Sequence, residues 1–146
     1  MFTCQPFNEL SPLILYKIMK ARSEVFVVEQ NCVYLDADDK DLKAHHLVLW
    51  RDEQVAGYTR LLPPGVSYDA MSIGRVLTTS QFRNQGLGKT LMDESIQQCR
   101  IVFGTGNITI GAQLYLKAFY ESFGFQQEAE VYLEDNIPHI QMTLIS

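Results

Sequence analysis

A glycine-rich segment, Arg83-Asn84-Gln85-Gly86-Leu87-Gly88-Lys89-Thr90, stands between an apolar run and an amphipathic helical pattern. The first amides of a helix have no intrahelical partner, and the helix dipole places about half a positive charge there. Gly86 and Gly88 lack a Cβ, so a phosphate can approach the backbone closely. The segment therefore predicts an anion site, with a helix that merely begins with glycines as the alternative.

Two other phosphate-binding motifs do not fit this segment. The P-loop pattern, in which a first glycine precedes Gly-Lys-Ser/Thr by five positions, is absent, although Gly88-Lys89-Thr90 mimics its end. The dinucleotide pattern GxGxxG also fails, because Leu91 stands where its third glycine belongs. A nucleotide ligand is therefore a distant alternative.

The elements that must position this segment alternate between helix and strand patterns. Apolar residues recur at helical spacing in some stretches, and short β-branched or aromatic runs are bounded by turn residues in others. Helices are predicted at 11–26, 86–103 and 113–123, and strands at 2–6, 44–50, 55–62, 72–78, 107–110, 125–133 and 138–145. The order β-α-β-β-β-α-β-α-β-β predicts an α/β fold with a mixed sheet and helices on both faces.

Two strand pairings follow from this order. Residues 44–62 should form an antiparallel hairpin, because a short turn joins the two strands. The strands 72–78 and 107–110 are joined by the helix 86–103, so they should be parallel. The glycine-rich segment then lies at the junction between a strand and a helix.

Composition and charge limit the function classes. The chain has 146 residues with a hydrophobic fraction of 47%, and we expect residues 1–146 to form a single domain. A net charge of −5 argues against a nucleic-acid surface. The three cysteines lack metal-ligand spacing, so no metal is expected. No apolar run of about 18 residues and no secretory signal is seen, which predicts a cytoplasmic protein without membrane association.

The motifs together resemble the Gcn5-related N-acetyltransferase (GNAT) superfamily. Residues 83–88 fit its signature, Gln/Arg-x-x-Gly-x-Gly/Ala at a strand-to-helix junction. Tyr120 stands five residues before Phe125 of a Gly-Phe pair, which matches the second hallmark. Three further segments resemble the ElaA-like subfamily: 25–30, 45–47 and 131–140. The resemblance implies the GNAT acyl-CoA N-acyltransferase fold.

The resemblance also implies acetyl-coenzyme A (acetyl-CoA) as the cosubstrate. By this resemblance, the cofactor-binding positions of the family correspond to the following residues of this chain: Val76, Leu77, Thr78, Arg83, Asn84, Gln85, Gly86, Leu87, Gly88, Lys89, Thr90, Gln113 and Phe119. The amides of 84–89 would hold the pyrophosphate, with Thr90 as an extra donor and Arg83 bracing the loop. The strand residues 76–78 would pair with the pantetheine arm, and one of their amides would bind the thioester carbonyl, often worth about 3 kcal/mol. Gln113 replaces an Asn that contacts pantetheine in many relatives.

The same resemblance places Tyr120 beside the leaving sulfur, where the family uses a general acid. A phenol has a pKa of about 10 and a thiol about 8.5, so complete proton transfer to the thiolate is uphill. We therefore expect the Tyr120 hydroxyl to stabilise the thiolate by a hydrogen bond. A core tyrosine on an aromatic helix face is the alternative.

Several residues of the sequence could accept the proton of the amine. An alkylammonium with a pKa of about 10.4 is almost wholly protonated at pH 7, so a base must take its proton. Some relatives have a Glu twelve residues before the tyrosine, but Ile108 stands there. Four candidates are left: Glu29, His45, His46 and His139. The catalytic set that we predict is Tyr120, Glu29 and His46, with a structural histidine as the alternative for His46.

Charged residues elsewhere allow two interpretations. Arg60 and Arg75 lie inside predicted strands, where they would either bind an acidic acceptor group or pair with buried carboxylates. The connection 29–43 is rich in aspartates and is either functional or a solvated loop.

The sequence as a whole predicts an acetyl-CoA-dependent N-acetyltransferase. Its acceptor would be a primary amine of a small molecule or peptide, which attacks the thioester directly in a ternary complex. The alternative is a non-catalytic acyl-CoA-binding or sensor module. Neither the acceptor nor the oligomeric state follows from the sequence, and a homodimer is left open.

Overall fold

One mixed sheet forms the centre of the protein in a computed structural model that describes residues 1–146. Its strands are β1 (Phe2–Pro6), β2 (His45–Arg51), β3 (Gln54–Leu62), β4 (Met71–Thr78), β5 (Ile108–Gln113), β6 (Gln126–Gln127), β7 (Tyr132–Glu134) and β8 (Ile137–Leu144). Their order across the sheet is β1-β2-β3-β4-β5-β8-β6, and β7 also pairs with β8. Only β4 and β5 are parallel.

Three α-helices accompany the sheet: α1 (Pro12–Arg22), α2 (Leu87–Phe103) and α3 (Lys117–Glu121). The α1 helix begins as its sequence predicts, because Pro12 occupies the first turn and the Ser11 hydroxyl accepts a hydrogen bond from the Ile14 amide at 3.2 Å. The α1 helix ends at Arg22 and continues as a π-helix over Ser23–Glu29, so helical structure extends three residues past the predicted end at residue 26. Short 3₁₀ turns lie at Phe7–Glu9, Asp39–Lys43, Ser80–Phe82 and Leu114–Leu116.

The helices cover both faces of the sheet. On one face α2 buries Leu87, Leu91, Met92 and Cys99 in the larger hydrophobic core. On the other face α1 packs apolar side chains, including Ile18 and Ala21, against the sheet. The predicted mixed sheet, its hairpin and its parallel β4–β5 pair are therefore confirmed. No helix is long and apolar enough to cross a membrane.

The C-terminal third differs in detail from the sequence-based expectation. A helix was predicted from Gln113, but Gln113 pairs with His139 as the last residue of β5, and α3 begins at Lys117. The expected strand at 125–133 is divided between β6 and β7. Seven residues from Gln126 to Tyr132 accompany only five of β8, from Thr143 to His139, so the pairing is interrupted.

The separation of β4 from β5 positions the site. The two strands pair only at Met71–Ile108 and Ser72–Thr109. From Ile73 onward, the edge of β4 that faces β5 has no strand partner, although its other edge stays paired with β3. The gap forms a cleft that runs toward the start of α2.

Candidate active site

The cleft between β4 and β5 has a volume of about 840 Å³. The two diverging strands supply opposite walls. The other walls come from the end of the π-helix, the connection 30–40, α3 and the turn between β7 and β8. It thus lies beside the glycine-rich segment and is also lined by Glu134, Asp135, Ile137 and His139.

The start of α2 offers free backbone donors. Gly86 precedes the first helical residue with φ of +73°, a left-handed conformation that favours glycine, and no side chain caps the helix. Asn84 is also left-handed, with φ of +64°. Because the first amides lack partners and residues 84–86 are exposed, this end of α2 can receive a phosphate group.

The side chains of the glycine-rich segment have distinct positions. Arg83 donates from Nε and Nη2 to the Thr78 carbonyl at 3.0 and 2.8 Å, so it braces the loop against the end of β4. Lys89 and Thr90 are exposed on the first turn of α2, and neither side chain lines the cleft. Leu87 is buried in the core below the loop, whereas Gly88 reaches the cleft wall.

A backbone bulge interrupts β4 at Arg75. Across from it the β3 register shifts between Tyr58 and Arg60, and Arg75 has φ of +51°, which is unfavourable for a residue with a Cβ. Val76 and Thr78 then line the cleft together with Leu77, whose side chain is buried in the α1 core. The three residues therefore have backbone groups on the unpaired edge of β4, beside the cleft.

Ion pairs hold the bulge in place. Arg75 Nε lies 2.8 Å from Asp36 Oδ1, and Arg75 Nη2 donates to the Asp36 carbonyl at 2.9 Å. The same Asp36 accepts from Arg22 Nε at 2.7 Å, and Arg22 also pairs with Asp41 at 2.7 Å. Arg60 completes the network with contacts of 2.7 and 2.9 Å to Asp38 and Asp41.

The network contains three guanidinium groups and three carboxylates, so its formal charge is zero. Burial alone raises the pKa of Asp41, but its hydrogen bonds and charge contacts with Arg22 and Arg60 outweigh this and lower it to about 2. Arg60 and Arg75 line the cleft, yet both are committed to carboxylates. The structure thus selects the second interpretation, in which these arginines pair with buried aspartates, and the aspartate-rich connection is not a solvated loop.

Tyr120 is placed by α3 with its side chain toward the cleft. It is only 5% exposed, packed edge-on against Phe119 and Phe125, and its hydroxyl has no hydrogen-bond partner in the protein. Burial, followed by the charge of Tyr115, raises the pKa of Tyr120 to about 12. The phenol therefore stays protonated and can donate a hydrogen bond into the cleft.

Two further predicted cofactor residues also reach this cleft. Gln113 lines it from the end of β5, and its Nε2 lies 3.5 Å from Gln30 Oε1. Phe119 lines it next to Gly88, where an added Cβ would come 3.7 Å from the Phe119 ring. Seven of the predicted cofactor residues line this one cleft: Val76, Leu77, Thr78, Arg83, Gly88, Gln113 and Phe119. The other six do not line it: Asn84, Gln85, Gly86, Leu87, Lys89 and Thr90.

Of the predicted catalytic residues, Tyr120 and Glu29 line the cleft, whereas His46 does not. Glu29 lines the cleft, but its carboxylate forms a 2.6 Å ion pair with Arg83. His46 is 1% exposed and lies outside the cleft, with Nδ1 2.6 Å from the Tyr58 hydroxyl and Nε2 2.9 Å from the Asp41 carbonyl. Burial lowers the pKa of His46. The geometry corrects its selection as a catalytic residue and supports the structural alternative.

His139 lines the cleft, although the sequence analysis did not select it. His45, the other candidate, packs edge-on against Phe103 outside the cleft. The sequence analysis missed Tyr34 and Asp36 as supports of the β4 bulge, and only the number of aspartates in 29–43 signalled them. Glu134 and Asp135, which line the cleft, were missed because they resemble an ordinary polar turn.

Comparison with known proteins places these features in a family. A family model described as an acetyltransferase (GNAT) domain matches residues 19–146. Protein ElaA of Escherichia coli is 39% identical over 137 residues, covering 92% of this chain and 90% of ElaA. The ElaA crystal structure superposes with a TM-score of 0.91 over 98% of this chain and 97% of that chain, at 36% identity.

Two other solved structures share the fold. An acyl-CoA N-acyltransferase from Pseudomonas aeruginosa has a TM-score of 0.94 and 42% identity, covering 98% of this chain and 97% of that one. A GNAT family acetyltransferase from Elizabethkingia anophelis, solved with acetyl-CoA bound, has a TM-score of 0.65 and 16% identity, covering 99% and 98%. The second likeness shows the fold alone.

Proposed function

The chain belongs to the acetyltransferase (GNAT) family, and from that premise we propose that it is an acetyl-CoA-dependent N-acetyltransferase. It transfers the acetyl group to a primary amine by direct attack in a ternary complex. The observation that carries the proposal is the unpaired edge of β4, which leads from the start of α2 toward the Tyr120 hydroxyl. Residues 1–146 act as one N-acetyltransferase domain.

The cleft fits the cosubstrate in three places. The uncapped start of α2 suits the pyrophosphate. The free edge of β4 after Ser72 suits the amide groups of pantetheine, which can pair with it as another strand would. Acetyl-CoA supplies the acetyl thioester, and the amides beyond the Arg75 bulge supply hydrogen bonds for the oxygen charge that develops during transfer.

Direct attack is favoured over a covalent cysteine intermediate. Burial raises the pKa of Cys4 to about 11 and that of Cys99 to about 12, so both are held as thiols, and neither lines the cleft. Cys32 lines the cleft, but its Sγ lies 3.8 Å from the Asp135 carbonyl and has no basic partner. A thiol without a base is a weak nucleophile.

The acceptor is a small-molecule or peptide amine that enters at residues 134–139. Because each guanidinium of the arginine–aspartate network pairs with a carboxylate, Arg60 and Arg75 are not free to hold an acidic group of the acceptor. Glu134 and Asp135 line this opening and favour an amine that arrives as its ammonium form.

Thiol release from acetyl-CoA tests the proposal. The assay uses a panel of primary amines, amino acids, polyamines and peptides, with propionyl-CoA alongside to measure acyl preference. We expect turnover with at least one amine, slowed at least tenfold in Tyr120→Phe and retained in Cys32→Ser. CoA binding without turnover would instead identify the non-catalytic acyl-CoA-binding module, and absence of CoA binding would overturn both readings.

A further inference from the structure

We propose that His139 accepts the proton that the acceptor amine loses, and that Glu134 stabilises the imidazolium which results. The inference rests on the proposed function, because it names the base of that reaction. In the sheet, His139 of β8 pairs with Gln113 of β5 on one side and with Tyr132 of β7 on the other. Directly paired residues of antiparallel strands project from the same face, so His139 stands beside the cofactor residue Gln113.

The ring is buried but reaches the cleft. The side chain of His139 is 8% exposed and lines the cleft, and its ring packs 5.8 Å from that of Tyr132. The next residue, Ile140, projects from the opposite face of β8 into the larger core and so anchors the strand that carries His139. The imidazole is therefore held in one orientation at the edge of the cavity where an acceptor would bind.

The hydrogen bonds define which ring nitrogen is free. Nδ1 lies 2.7 Å from the Ile137 carbonyl oxygen, which can only accept, so Nδ1 carries a hydrogen. The neutral imidazole then has its lone pair on Nε2. Nε2 lies 3.4 Å from Glu134 Oε2, a group that cannot donate when ionised. Protonation of Nε2 therefore converts a weak contact into an ion pair.

Two other carboxylates at the cleft already pair with arginines. Glu29 pairs with Arg83 at 2.6 Å and Asp38 pairs with Arg60 at 2.7 Å. Glu134, by contrast, has no cationic partner except His139, and its side chain is 57% exposed. The titratable groups around His139 are Glu134 and Tyr132, with Asp135 in the same turn and Tyr68 beyond Tyr132.

The proposed acetyl transfer releases two protons from the ammonium group of the acceptor. The ammonium gives one proton to Nε2 of His139, and the amine nitrogen that results bonds to the thioester carbon. The carbon–sulfur bond breaks, its electron pair leaves with sulfur, and the nitrogen loses a second proton, which reaches the thiolate through the Tyr120 hydroxyl or water. His139 then releases its proton to solvent. The products are the amide, the free thiol and one proton.

Amine acetylation by His139→Gln, measured with the intact chain, tests the inference. We expect kcat/KM at pH 7 to fall at least 100-fold while the Kd for CoA changes less than twofold. His45→Gln is the matched control, because His45 lies outside the cleft, and it should retain activity within twofold. In His139→Ala, added imidazole should restore activity in proportion to its concentration, which a purely structural role would not produce.

The pH dependence of kcat/KM tests the role of Glu134. If Glu134 stabilises the imidazolium, Glu134→Gln should move the acidic limb of the kcat/KM profile to lower pH. A His139→Gln enzyme that keeps its rate and its acidic limb would overturn the inference while the proposed function stood. Absence of turnover in the wild type despite CoA binding would overturn the proposed function and this inference with it.

Discussion

Arg75 and Asp36 form a 2.8 Å ion pair that joins the bulge of β4 to the connection between the first helix and β2. The contact links residues 39 positions apart and holds a non-glycine residue at φ of +51°. Tyr34 lies on the other side, with its ring 5.9 Å from the guanidinium carbon of Arg75. The backbone that faces the cofactor cleft is therefore shaped by a distant, aspartate-rich segment.

The strain at this bulge can be separated from its ion pairs. Both Arg75→Ala and Arg75→Gly remove the contacts with Asp36, but only glycine removes the left-handed strain. We expect Arg75→Ala to be less stable than Arg75→Gly by about 1 kcal/mol in urea unfolding. Equal stability of the two variants would show that φ at this position carries no cost.

Substitution of Gly86 and substitution of Gly88 should affect stability differently, because only Gly86 has a left-handed backbone conformation. Gly86 has φ of +73°, whereas Gly88 is helical with room for a Cβ 3.7 Å from Phe119. We expect Gly86→Ala to cost about 1 kcal/mol of stability and to weaken CoA binding, measured by titration calorimetry. Gly88→Ala is the control for stability alone, which it should change little because Gly88 has helical backbone angles. A larger loss of stability in Gly88→Ala than in Gly86→Ala would contradict this assignment.

Tyr120 should act as a hydrogen-bond donor across the usual assay range. Its pKa of about 12 lies above that of a thiol, about 8.5, so Tyr120 remains a phenol while the thiolate leaves. We expect Tyr120→Phe to lower kcat at least tenfold with little change in CoA affinity. The alkaline limb of the wild-type profile below about pH 10 should persist in Tyr120→Phe, since this phenol does not titrate there. Loss of that limb would show that Tyr120 ionises in the assay range.

Asp41 should contribute to acid denaturation. Its folded pKa of about 2 lies below the ordinary value of 3.8, so its stabilisation is present above about pH 4 and is lost as the pH falls toward 2. The difference corresponds to about 2 kcal/mol. Asp41→Asn should be less stable at pH 7, because Arg22 loses a buried partner. Its free energy of unfolding should then fall less between pH 5 and pH 2 than that of the wild type, as urea titrations can measure.

Short-range sequence patterns predicted the glycine-rich segment together with the strand and the helix that flank it. The glycines, the apolar spacing of 86–103 and the preceding strand lie within about 30 residues, and the structure assembles them as expected. The helix expected from Gln113 was partly wrong, because pairing with His139 extends β5 and outweighs helical spacing. His46 was selected by residue type, but strand alternation alone does not say which face is the core.

The sequence by itself determined the family, the order of most elements and the glycine-rich junction between β4 and α2, because these depend on short-range spacing and on backbone conformations that glycine permits. Only the tertiary structure decided that Arg60 and Arg75 pair with aspartates, that His46 is buried, and that His139 and Glu134 meet at the cleft. Each of these depends on strand register and on the path of long connections. Such contacts form between residues far apart in the chain, and no local spacing encodes them.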